Sequence, residues 1–185
     1  MQQSDPSVEQ LVMTDLARVL ALAADVAALR GSGGSGQPTG ITQTSGIGTF
    51  DTDSTDPYGD VLDAQTDVAA ANALRPGCAY VADPASAALL MKRQRFSSTD
   101  TPLWDGSLLQ GTMAGFPCRA TNQMSANTMI FGWWPSLILA EWGVLELMVN
   151  PFSDFTRGLS SIRAWYAMDV ALRYPAAFSY DASVA

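Results

Sequence analysis

The chain has 185 residues, 48% hydrophobic and only 15% charged, and 18 acidic residues against 10 basic leave a net charge of −8. That balance argues against nucleic-acid binding, which needs clustered Lys and Arg to neutralise phosphates; the one basic cluster is Lys92, Arg93 and Arg95. No histidine is present, which removes the commonest general base, the commonest transition-metal ligand and any Ser-His-Asp or Cys-His site within the chain.

Residues 6–30 read as one long helix. Val8, Leu11, Val12, Leu16, Val19, Leu20, Ala23, Val26 and Ala27 recur at three- and four-residue steps. Asp5 followed by Pro6 is a start signal and Gly31 a stop. Such a helix is about 37 Å long at 1.5 Å per residue, which suits an elongated subunit. Gly31 to Gly48 then reads as a Gly, Ser and Thr-rich loop. Gly31, Gly33 and Gly36 match the spacing G-x-G-x-x-G, but a dinucleotide site needs it after a strand and opening a helix. Here the glycines follow a helix, so the segment reads as a connector.

Asp51, Asp53, Asp56, Asp60, Asp63 and Asp67 form an acidic run. Its spacing is not that of a calcium loop, because Asp56 stands where the glycine belongs and Leu62 where the glutamate belongs. A solvated helix face, with carboxylates near a helix N-terminus, is the plain reading. A magnesium or calcium site is the competing one.

Residues 58–74 read as a second amphipathic helix, with Val61, Leu62, Val68, Ala69 and Leu74 inward, ended by Arg75-Pro76-Gly77. Cys78 to Ala82 fits a buried strand, and Asp83-Pro84 caps a third helix, Ala85 to Arg93. Gly111 and Gly115 punctuate a strand region from Met113 to Thr121. Met129 to Trp142 and Leu145 to Val149 are apolar runs joined by Gly143; Glu141 and Glu146 interrupt the stretch and Pro135 sits inside it, and the uninterrupted run Met129 to Ala140 is too short to span a bilayer. The clearest strand runs from Ile162 to Tyr174. Ile162, Ala164, Tyr166, Met168, Val170, Leu172 and Tyr174 alternate with Arg163, Trp165, Asp169 and Arg173.

Glu141 and Glu146 are a candidate carboxylate pair for catalysis, although both fall in apolar strand sequence. Trp104, Trp133, Trp134, Trp142 and Trp165 read equally well as core and as subunit contact. Cys78 and Cys118 lack metal-type spacing and suggest a reducing compartment, with one disulfide left open. No catalytic residue, cofactor or metal ligand is assigned.

The segments "DVAALRGSGGSGQPTGI", "YVADPASAALLMKRQ", "PLWDGSLLQGTMAGFPCRATNQM", "MIFGWWPSLILAEWGVLELMV" and "RAWYAMDVALRYPAAF", in that order, resemble the tailed-phage major capsid family of the Hong Kong 97 type. The first resembles the end of that family's spine helix running into a glycine-rich nick, and the second its strand–helix stretch. The last ends in the proline and phenylalanine of a closing strand.

The resemblance implies an α+β fold of the Hong Kong 97 type. It divides the chain into a spine-helix-like segment (1–30), an axial-domain-like part (31–128), a peripheral-domain-like part of long strands (129–174) and a tail (175–185). It implies no enzyme but a wall subunit in a virion capsid, assembled in the bacterial host cytoplasm from copies of itself as pentamers and hexamers. No specific nucleic-acid or membrane contact is expected. Nothing before Asp5 matches the family's N-terminal arm and extended hairpin loop, so the chain reads as N-terminally truncated and is expected as a monomer or small oligomer. Asn150 to Gly158 corresponds to the loop that meets neighbours around threefold axes, which makes Asn150, Phe152, Phe155 and Arg157 the contact candidates. Two alternatives stand beside this reading: an encapsulin-like compartment shell, and a small metal-dependent enzyme or binding module built on Asp51 to Asp67.

Overall fold

Pro6 opens helix α1, which runs to Arg30. The structure is a computed structural model describing residues 6–53, 55–157 and 159–184, with the backbone alone described at 6–9, 144, 145, 147, 151, 153–155, 159 and 160. Asp5, read as the cap of α1, and Gly158 lie outside the described residues. The helix stops where Gly31 N–H still reaches Ala27 O at 3.0 Å. The chain then folds back, with Gly33 N–H on Pro38 O (3.2 Å) and Gly40 N–H on Gly31 O (2.9 Å). Amides of the glycine pattern are thus used to close a loop on a helix C-terminus.

Two further helices, α2 (Pro57–Ala70) and α3 (Pro84–Lys92), are both aspartate-capped with proline in the first turn. Asp56 Oδ1 accepts from Gly59 N–H at 3.0 Å. Asp83 accepts from Ala85 and Ser86 N–H, and also from Thr128 N–H at 3.3 Å, which ties the start of α3 to a distant strand. α2 ends earlier than the expected residue 74. Asn72 takes a left-handed conformation (φ 56°), so Asn72 N–H bonds Ala69 O and Ala73 N–H bonds Val68 O. That paired closure satisfies the last carbonyls and stops the helix.

The strands are β1 (Gly48–Thr49), β2 (Cys78–Ala82), β3 (Asp105–Gly106), β4 (Gly111–Met113), β5 (Phe116–Ala120), β6 (Met129–Trp133), β7 (Leu137–Asp154), β8 (Leu159–Leu172) and β9 (Phe178–Asp181). Seven of them form one mixed sheet in the order β1-β9-β6-β2-β5-β4-β3. β1 and β9, and β2 and β5, are parallel neighbours, and the other pairs are antiparallel. α2 lays Val61, Ala64 and Val68 against this sheet. Tyr80, Phe131, Phe178 and Trp104 are fully buried beside them, and each such side chain contributes about 1.5–3 kcal/mol relative to exposure. Tyr80 donates from its hydroxyl to Val61 O at 2.9 Å and accepts from Gln65 Nε2 at 3.0 Å, fastening α2 to the central strand. Burial pushes its phenol far above the ordinary tyrosine range.

Two sequence expectations change here. Residues 129–133, grouped with the long strands, pair with β2 and β9 inside the seven-stranded sheet. Pro135 is the reason: it lies in a short 3-10 turn, Trp134–Ser136, that ends β6 before β7 begins, because proline cannot donate to a continuing ladder. Residues 175–185, expected as a tail, contain β9, which lies between β1 and β6. Its Asp181 is buried and accepts Thr52 N–H and Ser183 N–H, both at 2.8 Å.

β7 and β8 form a separate two-stranded antiparallel ribbon. Leu137 pairs with Leu172, Leu139 with Val170 and Trp142 with Ala167. The register then shifts: Glu146 pairs with Trp165, so β7 advances four residues while β8 advances two. Gly143, at φ 80°, lies in this bulge, where a left-handed backbone favours glycine. A second shift of the same size lies between Asn150 and Asp154.

Candidate subunit-contact surface

Side chains alternate on a strand, and residues paired in register share a face. The ribbon therefore has one face carrying Leu139, Glu141, Tyr166, Met168 and Val170, and another carrying Ile138, Trp142, Glu146, Met148, Arg163, Trp165 and Asp169. Helix α1 covers part of the first. Ala17, Leu20, Ala21 and Ala24 share a crevice with Leu139, Glu141, Tyr166 and Met168, and small residues let helix and strands approach. A hydrogen bond to the Glu141 carboxylate, together with partial burial and the charge itself, raises the Tyr166 phenol above its ordinary value.

Among the described residues, none covers the second face in this way. Trp142 is 82% exposed, Met148 55%, Trp165 54% and Ile138 46%. Contiguous exposed apolar surface on a soluble protein marks an interaction site. The five tryptophans, equally core or contact in the sequence, divide by location. Trp104 is buried and donates to Ser107 O at 3.1 Å. Trp133 and Trp134 donate to Pro76 O (3.1 Å) and Ala79 O (3.0 Å), and Trp134 meets Phe178 edge-on at 5.6 Å. Trp142 and Trp165 face outward.

The sequence-derived contact candidates lie at the far end of the same ribbon. Asn150 ends a run of paired residues on β7, and its Oδ1 accepts Phe152 N–H at 2.9 Å. Phe152 is 82% exposed. Arg157 is exposed in a 3-10 turn, Phe155–Arg157, that joins the strands; the side chain of Phe155 lies outside the described residues. Trp142 and Trp165, read from the sequence as equally core or contact, lie with Met148 and Ile138 on this one face, and Met148 and Ile138 are the contact candidates that sequence reasoning missed. Trp165 carried a signal, since it falls on the polar side of an alternating strand between Arg163 and Asp169.

The chemical alternatives find little geometry. Glu141 pairs with Met168 and Glu146 with Trp165, so the two carboxylates project from opposite faces and form no catalytic pair. In the acidic run the carboxylates hold backbone. Asp53 Oδ1 accepts Thr55 N–H at 2.6 Å and Asp60 Oδ2 accepts Asp53 N–H at 2.9 Å. The Thr55 bond holds the Asp53 carboxyl below its usual range, while partial burial raises Asp60. Asp67 accepts the Ser179 hydroxyl at 3.1 Å. Among the described residues no three His, Cys, Asp or Glu side chains are grouped to hold a metal ion. Cys78 and Cys118 are both buried and free; burial raises both thiols, Cys118 to about 12. Among the described residues no helix is long and apolar enough to cross a membrane.

The phage capsid family model matches residues 1–180. The chain belongs to the phage capsid family. It is 28% identical over 177 residues to the major capsid protein of Halomonas phage phiHAP-1, an alignment that covers 96% of this chain and 29% of that relative's length. The chain therefore spans less than a third of the curated relative it matches. Its fold is that of the capsid of a native GTA particle, with a TM-score of 0.77 at 20% identity over 100% of this chain and 68% of the other. A Gordonia phage Cozz structure matches with a TM-score of 0.65 at 16% identity, over 97% of this chain and 64% of its own. This phage capsid family member has the α+β fold of the Hong Kong 97 type.

Proposed function

We propose that this chain is a structural subunit of a phage or prophage capsid, joining copies of itself in the pentamers and hexamers of an icosahedral shell. The observation that carries the reading is the ribbon: a long pair of strands with large apolar side chains exposed on a face that the described residues leave uncovered. An isolated two-stranded ribbon is marginally stable in water and gains by packing on something else. A closed shell supplies that packing through repeated contacts related by symmetry. Asn150, Phe152, Phe155 and Arg157 at the ribbon's end act as a further contact between neighbours. The place of action is the virion, reached by assembly in the host cytoplasm. A net charge of −8 supports a wall that does not clamp the packaged genome.

Light scattering across a concentration series, followed by negative-stain microscopy, tests the proposal. Mass should grow with concentration, with rings or closed particles in the stained fields. A chain that shows neither at any concentration sinks the shell reading.

A further inference from the structure

We propose that two copies of this chain pair face to face through the uncovered side of the ribbon, about a twofold axis that crosses β8 at Tyr166. Arg163 of each copy then meets Asp169 of the other. The inference rests on the reading that copies associate through the ribbon, and it names the partner surface, the symmetry and the residues.

The argument starts from register. Arg163, Trp165, Ala167 and Asp169 are successive residues on one face of β8, symmetric about position 166. Arg163 and Asp169 are both exposed. They are six residues apart along one strand, about 20 Å, so they cannot pair with each other. Turning a second ribbon over about an axis in its plane and across its strands reverses the strand direction. Position 163 then falls over 169, and 165 over 167. The two opposite charges meet twice, as an isologous contact requires.

Size follows the same symmetry. Trp165 comes over Ala167 of the partner subunit. On β7, Met148 is paired with Arg163 and Ala140 with Asp169, so Met148 comes over Ala140 of the partner subunit. Trp142, paired with Ala167, comes over Glu146 of the partner subunit, since Glu146 is paired with Trp165. The Trp165 and Met148 contacts set large over small, the arrangement that lets two packed sheets interdigitate at about 10 Å. A face displaying exposed tryptophan and methionine would otherwise stay in water. The footprint is small, with a total buried area of roughly 1,000 Å², at the low end for specific interfaces. The pair is therefore a weak, concentration-dependent dimer.

Sedimentation across a concentration series tests this on the full chain, with Arg163→Asp, Asp169→Arg and the double exchange. Each single reversal should weaken the dimer about tenfold or more, and the double exchange should restore it to within about threefold. Unchanged melting temperatures show that the variants fold. Should a reversal fail to fold, Arg163→Gln and Asp169→Asn should weaken the dimer in the same direction. A wild type that stays monomeric, or a dimer indifferent to both charges, overturns the pairing. A charge-dependent dimer that never forms particles keeps the pairing and sinks the shell reading. Particles insensitive to the reversals do the opposite.

Discussion

Tyr80, Trp104, Phe131 and Phe178 in the seven-stranded sheet are fully buried, whereas Trp142, Phe152 and Trp165 on the ribbon are mostly exposed. The same residue types serve two ends in one chain. The sheet has seven strands and a helix laid across it, enough to enclose a core. The ribbon has two strands and one partly covered face, and two strands enclose nothing. Burial of a large apolar residue is thus decided by how many layers the fold places around it. Stability of this chain resides in the sheet, and the surface proposed for association lies on the ribbon.

Substitutions at matched positions can break that division. Phe131→Ala has the largest expected effect. Its ring lies 4.3 Å from Tyr80 and 5.3 Å from Phe116, centroid to centroid, and its loss should cost about 3–5 kcal/mol in urea unfolding. Gly132→Ala comes next. An added Cβ would collide with the Phe178 ring and lie 2.8 Å from Ala177 O, costing about 1–3 kcal/mol by the same measurement. Tyr80→Phe should cost about 1–2 kcal/mol, since it leaves Val61 O without its buried donor. Trp142→Ala is the smallest and sharpens the contrast most. The monomer's stability should stay within about 0.5 kcal/mol, while light scattering reports weaker self-association. If Trp142→Ala destabilised the monomer as much as Phe131→Ala, the division between the two regions would fall.

Much of the sheet region was legible from local signals. α3 announces itself through its Asp-Pro cap, α2 through its apolar periodicity and β2 through a five-residue apolar run, and on the ribbon β8 shows through its alternation. What escaped was non-local. β9 is only four residues long and acquires its place from β1 and β6, far away in sequence. The division between β6 and β7 was masked by an apolar run continuous across Pro135. α1 shows the opposite limit: its periodic pattern predicts the helix well, yet Leu11, Val19 and Leu22 are exposed because the ribbon covers only part of it. At the contact surface, the terminal loop was read through family resemblance. The tryptophans stayed divided between core and contact, because whether a strand's aromatic residue meets core or water depends on what lies over that face.

The two register shifts in the ribbon each add two residues to β7 and none to β8. Because strand side chains alternate with a period of two, the shifts leave every later residue on the face it would have had without them. The ribbon therefore has something like a reading frame, with a codon of two. Insertions or deletions of even length would leave Phe152 and the residues beyond the bulge facing as they do. A single added residue would turn the distal hairpin inside out and put the proposed contact residues on the wrong side.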